Sequence, residues 1–200
     1  TGKRGLSDAK KLTSVVAKLL GINKNYALCA STGVIGKRLP LHKIEKALPT
    51  LVKRLSAQGS KYASRAIMTT DNIRKELSVI FNAGGYNIKI GAIAKGAGMI
   101  SPHLATMLCF ISTDANISYA ALKSTLKEAT EETFNRITVD GQMSTNDMVV
   151  VQANALAGNS TITHGTNDFK IFKMALSFVL EHLAKLIVKD GEGATKFIEI

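Results

Sequence analysis

Leu77-Ser78-Val79-Ile80-Phe81-Asn82, followed by Ala83-Gly84-Gly85 and then Asn87-Ile88-Lys89-Ile90-Gly91-Ala92-Ile93-Ala94, is the stretch whose reading decides the fold. Two apolar runs rich in β-branched residues on either side of a Gly-Gly turn predict an antiparallel hairpin. Working outward, further strands are expected over 26–31, 64–69, 107–112 and 195–200, the last read as a strand inside which the chain stops. Helices are expected where the apolar spacing changes. Ser7 reads as the N-cap of one in which Ala9, Leu12, Val15, Val16, Leu19 and Leu20 recur until Gly21 ends it. Residues 41–55 return to that spacing, with Pro49 expected to kink the helix or start a second one. Ser118 is expected to cap a helix over 119–134, Ser144 another over 147–156, and Asp168 to open a long one ending near Gly191. Grouped strands with helices between the groups predict an α+β layered sandwich, not a doubly wound sheet.

Composition narrows the class. The chain has 200 residues, 46% of them hydrophobic, and three prolines, enough to bury a core as one domain over 1–200 and too apolar for disorder. Charges interrupt the apolar runs well short of the roughly 20 residues that span a bilayer, and no charged-then-apolar leader opens the sequence. A soluble cytoplasmic protein without membrane partners is therefore expected. Two cysteines, Cys29 and Cys109, are too few for a disulfide framework and read as buried small hydrophobes. Net charge is +11, with 18 Lys and Arg against 4 Asp and Glu up to residue 105, and 8 against 11 thereafter. The basic residues spread over several predicted helix faces and few aromatics interleave them, which argues against nucleic acid.

The stretch 93–115 carries the chemistry. Thr106 follows a small residue at the entrance to an apolar strand, and its hydroxyl is the candidate nucleophile. Cutting between Ala105 and Thr106 would free an α-amino group beside that hydroxyl to serve as its base. Such a cut would divide the chain into segments 1–105 and 106–200, at the point where the basic excess stops. A developing oxyanion needs donors, for which the Thr32 hydroxyl and the Gly33 N–H are candidates. Read alone, Ser31-Thr32-Gly33 is better read as a strand-ending turn, Lys95 as a solvated lysine between strand and glycines, and Glu192 as an exposed turn residue. Asn146 and Asp147 read as opening a helix. His42, His103, His164 and His182 are scattered without ligand spacing, so no metal is expected. No Gly-x-Ser-x-Gly elbow is present, and Gly96 and Gly98 lack the Lys-Ser/Thr ending of a phosphate loop.

Stretch 93–115, together with Ser31-Thr32-Gly33-Val34-Ile35-Gly36, Phe134-Asn135-Arg136-Ile137-Thr138-Val139-Asp140-Gly141, Ser144-Thr145-Asn146-Asp147 and Asp190-Gly191-Glu192-Gly193-Ala194-Thr195-Lys196, closely resembles the ornithine acetyltransferase (bifunctional glutamate N-acetyltransferase) family. The resemblance runs in order along the whole chain. It implies sheets packed between helical layers and a self-processing N-terminal threonine nucleophile, Thr106, released by cleavage at Ala105-Thr106. It implies Thr32 and Gly33 as the oxyanion hole, and Thr69, Lys95, Thr106 and Glu192 as substrate-binding, with Thr70 the alternative to Thr69. The implied reaction moves acetyl from N-acetylornithine to glutamate in arginine biosynthesis without a cofactor, with acetyl-CoA a donor in some members. The two segments would stay together as a heterotetramer. The resemblance also implies that this chain is a central fragment. A truncated relative that only binds, or an aminopeptidase-like amidohydrolase on a similar scaffold, are the alternative readings.

Overall fold

The computed structural model describes residues 2–103 and 106–200. Its chain divides into two compact units, Thr1–Ser60 and Lys61–Ile200.

In the first unit, α1 (Gly2–Leu20) packs against α2 (Leu41–Lys53). Leu12 and Ala17 are the buried positions of α1, with Ala9, Val15 and Val16 half-buried beside them. The helix begins earlier than the Ser7 cap predicted, because Lys3, Arg4 and Leu6 are themselves good helix formers. It ends where predicted: Gly21 adopts φ +67°, so that its N–H reaches the Lys18 carbonyl and that of Ile22 the Ala17 carbonyl. Helix α2 runs as one element through Pro49. No strand forms over 26–31. A short 3-10 turn, Lys24–Tyr26, leads into irregular chain, and Leu28 and Cys29 are exposed. The run has the apolar residues of a strand but no partner, for the first unit contains no strand among its described residues. Cys29 is thus not the buried hydrophobe expected, whereas Cys109 is.

The second unit is built on one four-stranded sheet in the order β1 (Lys75–Ala83), β2 (Tyr86–Lys95), β3 (Leu108–Thr113), β4 (Met148–Ala153). The hairpin forms as read. Gly84 and Gly85 take φ +58° and +84°, the left-handed pair that a tight two-residue turn requires. Strand β3 returns antiparallel to β2, and β4 lies parallel to β3 after a crossover through α4 (Tyr119–Glu132). Ser118 caps α4 through the Ala121 N–H, as expected.

Alternation along the strands sends Leu77, Val79 and Phe81, then Ile88, Ile90 and Ala92, then Cys109 and Ile111, into one core with α5 (Asn167–Lys189). Phe172, Leu176, Val179, Leu180, Leu183 and Ile187 of α5 recur at three- and four-residue intervals and are all buried. The Phe172 ring meets Phe81 edge-on with centroids 6.1 Å apart. This is a mixed α+β arrangement.

Three predicted elements of the second unit differ. Residues 148–153 are a strand, not the helix that Ser144 was expected to cap. Val149-Val150-Val151 is β-branched and finds β3 as a parallel partner, while the Ser144 hydroxyl accepts the Asn146 N–H of a local turn. Residues 64–69 are not a strand, because helix-favouring Lys61, Ala63, Arg65 and Ala66 make α3 (Ser60–Ala66) instead. Residues 195–200 pair with no strand; Lys189 lies 5.0 Å from the Phe197 ring and Lys185 2.6 Å from Glu199, so side chains hold this tail to α5.

The hairpin turn is crowded at Gly84. A Cβ at Gly84 would lie 2.7 Å from the Asp168 carboxylate, in a backbone conformation that costs other residues about 1–2 kcal/mol. Gly84→Ala is expected to lower the denaturant midpoint by at least that free energy with an unchanged m-value; an unchanged midpoint would contradict the turn.

Candidate functional site

Lys75, the first residue of β1, has no exposed surface, and its ammonium is held 2.7 Å from Asp71 Oδ1 and 2.6 Å from Asp190 Oδ2. Asp71 lies in the chain entering β1, and Asp190 is the residue at the C-terminal end of α5, so one buried cation joins two ends of the unit. Each carboxylate is also satisfied by backbone. Asp71 accepts the Gly96 N–H at 2.7 Å and the Thr69 N–H at 3.1 Å; Asp190 accepts those of Asn72 and Ile73 at 3.0 and 3.3 Å. Lys95, the last residue of β2 and nearly as buried, places its Nζ 3.8 Å from Asp71 Oδ2. Two ammonium groups and two carboxylates thus form a compact, nearly neutral cluster.

Burial by itself would raise the Asp71 carboxyl, but the Gly96 N–H, Lys75 and the Thr69 N–H outweigh it and hold Asp71 below its ordinary value. Asp190 is lowered in the same way: burial opposes, while Lys75 and the Ile73 and Asn72 donors prevail. Lys95 is pushed down, first by desolvation and then by Lys75, against the pull of Asp71 and Glu192. It gives up its proton more readily than an ordinary lysine.

The chain leaving β2 touches everything else of interest. Gly96 packs so closely that a Cβ there would meet the Met107 Cβ at 3.2 Å. The Ala97 carbonyl accepts the Glu192 N–H at 2.7 Å, and a Cβ on Gly98 would lie 2.7 Å from the Glu192 carboxylate. That carboxylate also accepts the Thr70 hydroxyl. Met99 accepts the Thr106 N–H at 2.9 Å, and Lys95 stands opposite Leu108 in the sheet, two residues beyond Thr106. The Thr106 Oγ1 is buried and has no hydrogen-bond partner among the described residues. A buried polar atom left without a partner is rare enough to call for an explanation.

The sequence-predicted residues are therefore distributed as follows. Thr106, Lys95 and Glu192 are gathered around 95–99 of the second unit. Thr69 is exposed and engages through its backbone N–H, and it is the hydroxyl of Thr70 that reaches Glu192. Thr32 and Gly33 belong to the first unit, in irregular chain just ahead of a turn at 34–36. Ala105 lies outside the described residues. Asp71, Lys75 and Asp190 were not singled out by the sequence reading. The only prior signal was the four-residue spacing of Asp71 and Lys75, which is common on solvated surfaces. No group of three or more His, Cys, Asp or Glu among the described residues could hold a metal ion, and no helix among them is long and apolar enough to cross a membrane.

Fold and site together define an α+β protein in which a threonine heads a sheet strand beside a buried lysine-carboxylate cluster. The chain belongs to the ArgJ family, whose model matches residues 1–200. It is 48% identical over 200 residues to the arginine biosynthesis bifunctional protein ArgJ of Symbiobacterium thermophilum, covering all of this chain and 50% of that protein. The namesakes from Caldanaerobacter subterraneus and Geobacter sulfurreducens are each 46% identical over the same 200 residues, which are 50% and 51% of their lengths. The chain thus spans about half the length of these curated relatives. A crystal structure of the Bacillus halodurans namesake is 56% identical over 44% of this chain and 41% of that one, with a TM-score of 0.42.

Removing the buried ammonium strands two desolvated carboxylates, a loss of about 3–5 kcal/mol. Lys75→Met is therefore expected to lower stability by that order. Because Asp71 and Asp190 are depressed in the folded protein, their contribution is present above the unfolded carboxyl value of about 3.9 and is lost as pH falls below it. In the variant, where burial is no longer opposed by Lys75, the acid transition should move to higher pH; acid titration followed by circular dichroism measures both effects.

Proposed function

We propose that this chain is the catalytic part of a self-processing acetyltransferase of the layered-sandwich, N-terminal threonine nucleophile type. It would move an acetyl group from N-acetylornithine to glutamate in arginine biosynthesis. The observation that carries the reading is the unpartnered Thr106 hydroxyl at the head of β3, beside residues 95–99 and Glu192. In the first reaction Thr106 Oγ1 attacks the carbonyl carbon of Ala105 and the peptide nitrogen leaves as the new amine of Thr106. Water then cleaves the resulting ester. The neutral amine next takes the proton from Oγ1 as it attacks the acetyl carbonyl of N-acetylornithine. Ornithine departs with that proton, and the amine of glutamate accepts the acetyl group from the Thr106 ester. The Thr32 hydroxyl and the Gly33 N–H serve as donors to the oxyanion, and losing one such donor costs roughly 10²–10³ in rate.

Lys95 suits a substrate carboxylate, since a desolvated ammonium attracts an anion more strongly than one in water. Glu192 suits the substrate's amino group. Thr69, with Thr70 beside it, completes this side of the site. The paired segments 1–105 and 106–200, their heterotetramer, cytoplasmic location and the use of acetyl-CoA as a further donor belong to the same proposal, which requires no cofactor. The family match and the half-length relatives that bear the bifunctional name support it.

In the complete polypeptide, mass and N-terminal sequencing are expected to find a new terminus at Thr106, and Thr106→Ala should remain whole and lose acetyl exchange. A cut at the same bond in that variant would assign cleavage to another protease. Exchange by the cleaved protein should rise through the amine's ordinary range of about 7.7 to 8.0, since only the neutral amine acts as a base. Acetyl release to water with no glutamate acceptor would favour the amidohydrolase reading instead.

A further inference from the structure

We propose that Asp140 is a positioning residue for Thr106, acting through the backbone of Met99. The inference rests on the reading of Thr106 as the self-cleaving nucleophile. Asp140 is in the turn after Val139 and its carboxylate grips three N–H groups: Oδ2 accepts Met99 at 2.6 Å, and Oδ1 accepts Ile100 at 3.1 Å and Gln142 at 3.0 Å. The grip is reciprocated. The Ile100 carbonyl accepts the Val139 N–H at 3.0 Å and the Thr138 hydroxyl at 3.1 Å, so residues 138–140 and 99–100 are laced together from both sides.

What this lacing secures is an unfavourable conformation. Met99 has φ +58°, left-handed for a residue with a long side chain, and such geometry persists only where surrounding contacts over-determine it. The twist at Met99 separates its two polar groups: the N–H goes to Asp140, and the carbonyl accepts the Thr106 N–H at 2.9 Å. Asp140 therefore reaches the nucleophile's own nitrogen through a single residue. Cleavage at Thr106 would turn that nitrogen into the amine of the proposed base, and the Met99 carbonyl is the acceptor already facing it. The same carbonyl can orient the nitrogen before the cut, when its peptide bond is the target, and after it, when its lone pair must face Oγ1. Opposed by burial but favoured by the Gln142, Met99 and Ile100 donors, the Asp140 carboxyl lies below its ordinary value and stays ionised across the working range.

The sequence Thr138-Val139-Asp140-Gly141 explains why the clamp is local. Gly141 takes φ +70°, which turns the chain sharply enough for Gln142 to donate back to the same carboxylate. Among the described residues the Asp140 carboxylate bonds to the N–H groups of Met99, Ile100 and Gln142 and not to Lys95 or Glu192, so its effect should fall on the chemical step and not on substrate affinity.

The test uses the complete polypeptide and follows the rate of cleavage at Thr106 in folded protein. Asp140→Ala is expected to slow it by about 10- to 100-fold, the scale on which a misplacement of the order of an ångström acts. Asp140→Asn, which keeps one carbonyl acceptor, should fall between it and the parent, and it decides the matter should the alanine variant not fold. Phe172→Leu, a core change near the hairpin at the opposite end of the sheet, serves as the stability control and should cleave at the parental rate. In exchange assays on whatever Asp140→Asn cleaves, kcat should drop with KM unchanged and the pH midpoint of the amine should move. Parental cleavage rates in the Asp140 variants, or slowing no greater than in Phe172→Leu, would overturn the inference while leaving the nucleophile assignment intact. Cleavage that persists in Thr106→Ala removes the nucleophile assignment and this inference with it.

Discussion

The second unit depends on the Lys75 ammonium. Taking an ammonium and two carboxylates out of water is costly, and an ionic cluster of this kind need not stabilise a fold more than apolar packing would. What it supplies is placement. The chain entering β1, the start of β1 itself, the glycine that leaves β2 and the residue ending α5 are each bound to one of these three groups, and none can shift without leaving a buried charge unpaired. The apolar interface between α5 and the sheet sets how the layers approach but is tolerant along the helix axis. The cluster fixes where the helix stops, and so fixes the position of Glu192 two residues later.

From that anchor the geometry propagates along 95–99. Asp71 holds Gly96, Ala97 receives Glu192, Gly98 lies against the Glu192 carboxylate and Met99 receives Thr106. Five consecutive residues therefore connect the buried lysines, the acidic turn and the threonine. The glycines at 96 and 98 are needed because side chains there would displace Met107 and Glu192. A reading of Lys95 as a solvated lysine misses that it is buried. Its ammonium lies 3.8 Å from Asp71, and desolvation together with the Lys75 charge makes its proton more easily lost than usual.

Much of the second unit was legible in the sequence because its periodicities are unmixed. The alternation in 77–94 around Gly84-Gly85 and the three- and four-residue recurrence in α5 each have only one good solution. The failures came where a local signal competed with a tertiary partner. Ser144 has the chemistry of a helix cap, yet three consecutive valines beside an open edge of β3 make a strand. Residues 26–31 have strand composition but no neighbour to pair with, and composition alone does not show whether a partner exists. For the candidate site, Thr106 was singled out by its position at a strand entrance, and the roles proposed for Lys95 and Glu192 came from resemblance. Asp71, Lys75 and Asp190 could not be read, because a lysine at the head of a strand looks solvated until two carboxylates more than a hundred residues apart are known to converge on it.

The Thr106 hydroxyl is buried without a hydrogen-bond partner among the described residues. Leaving a buried hydroxyl unpaired costs about 1–3 kcal/mol. The polar groups gathered around 95–100 bond elsewhere: Thr70 to Glu192, the Met99 carbonyl to the Thr106 nitrogen, Asp140 to three backbone donors. A purely structural threonine at this position would gain from substitution by valine, which has the same shape without the unsatisfied group. A threonine meant to attack carbon must have its oxygen free of strong donors, which would draw off its electron density. An unpaired oxygen on a well-fixed backbone is thus costly for stability and suited to nucleophilic attack, and this difference separates the proposed catalytic role from a packing role at Thr106.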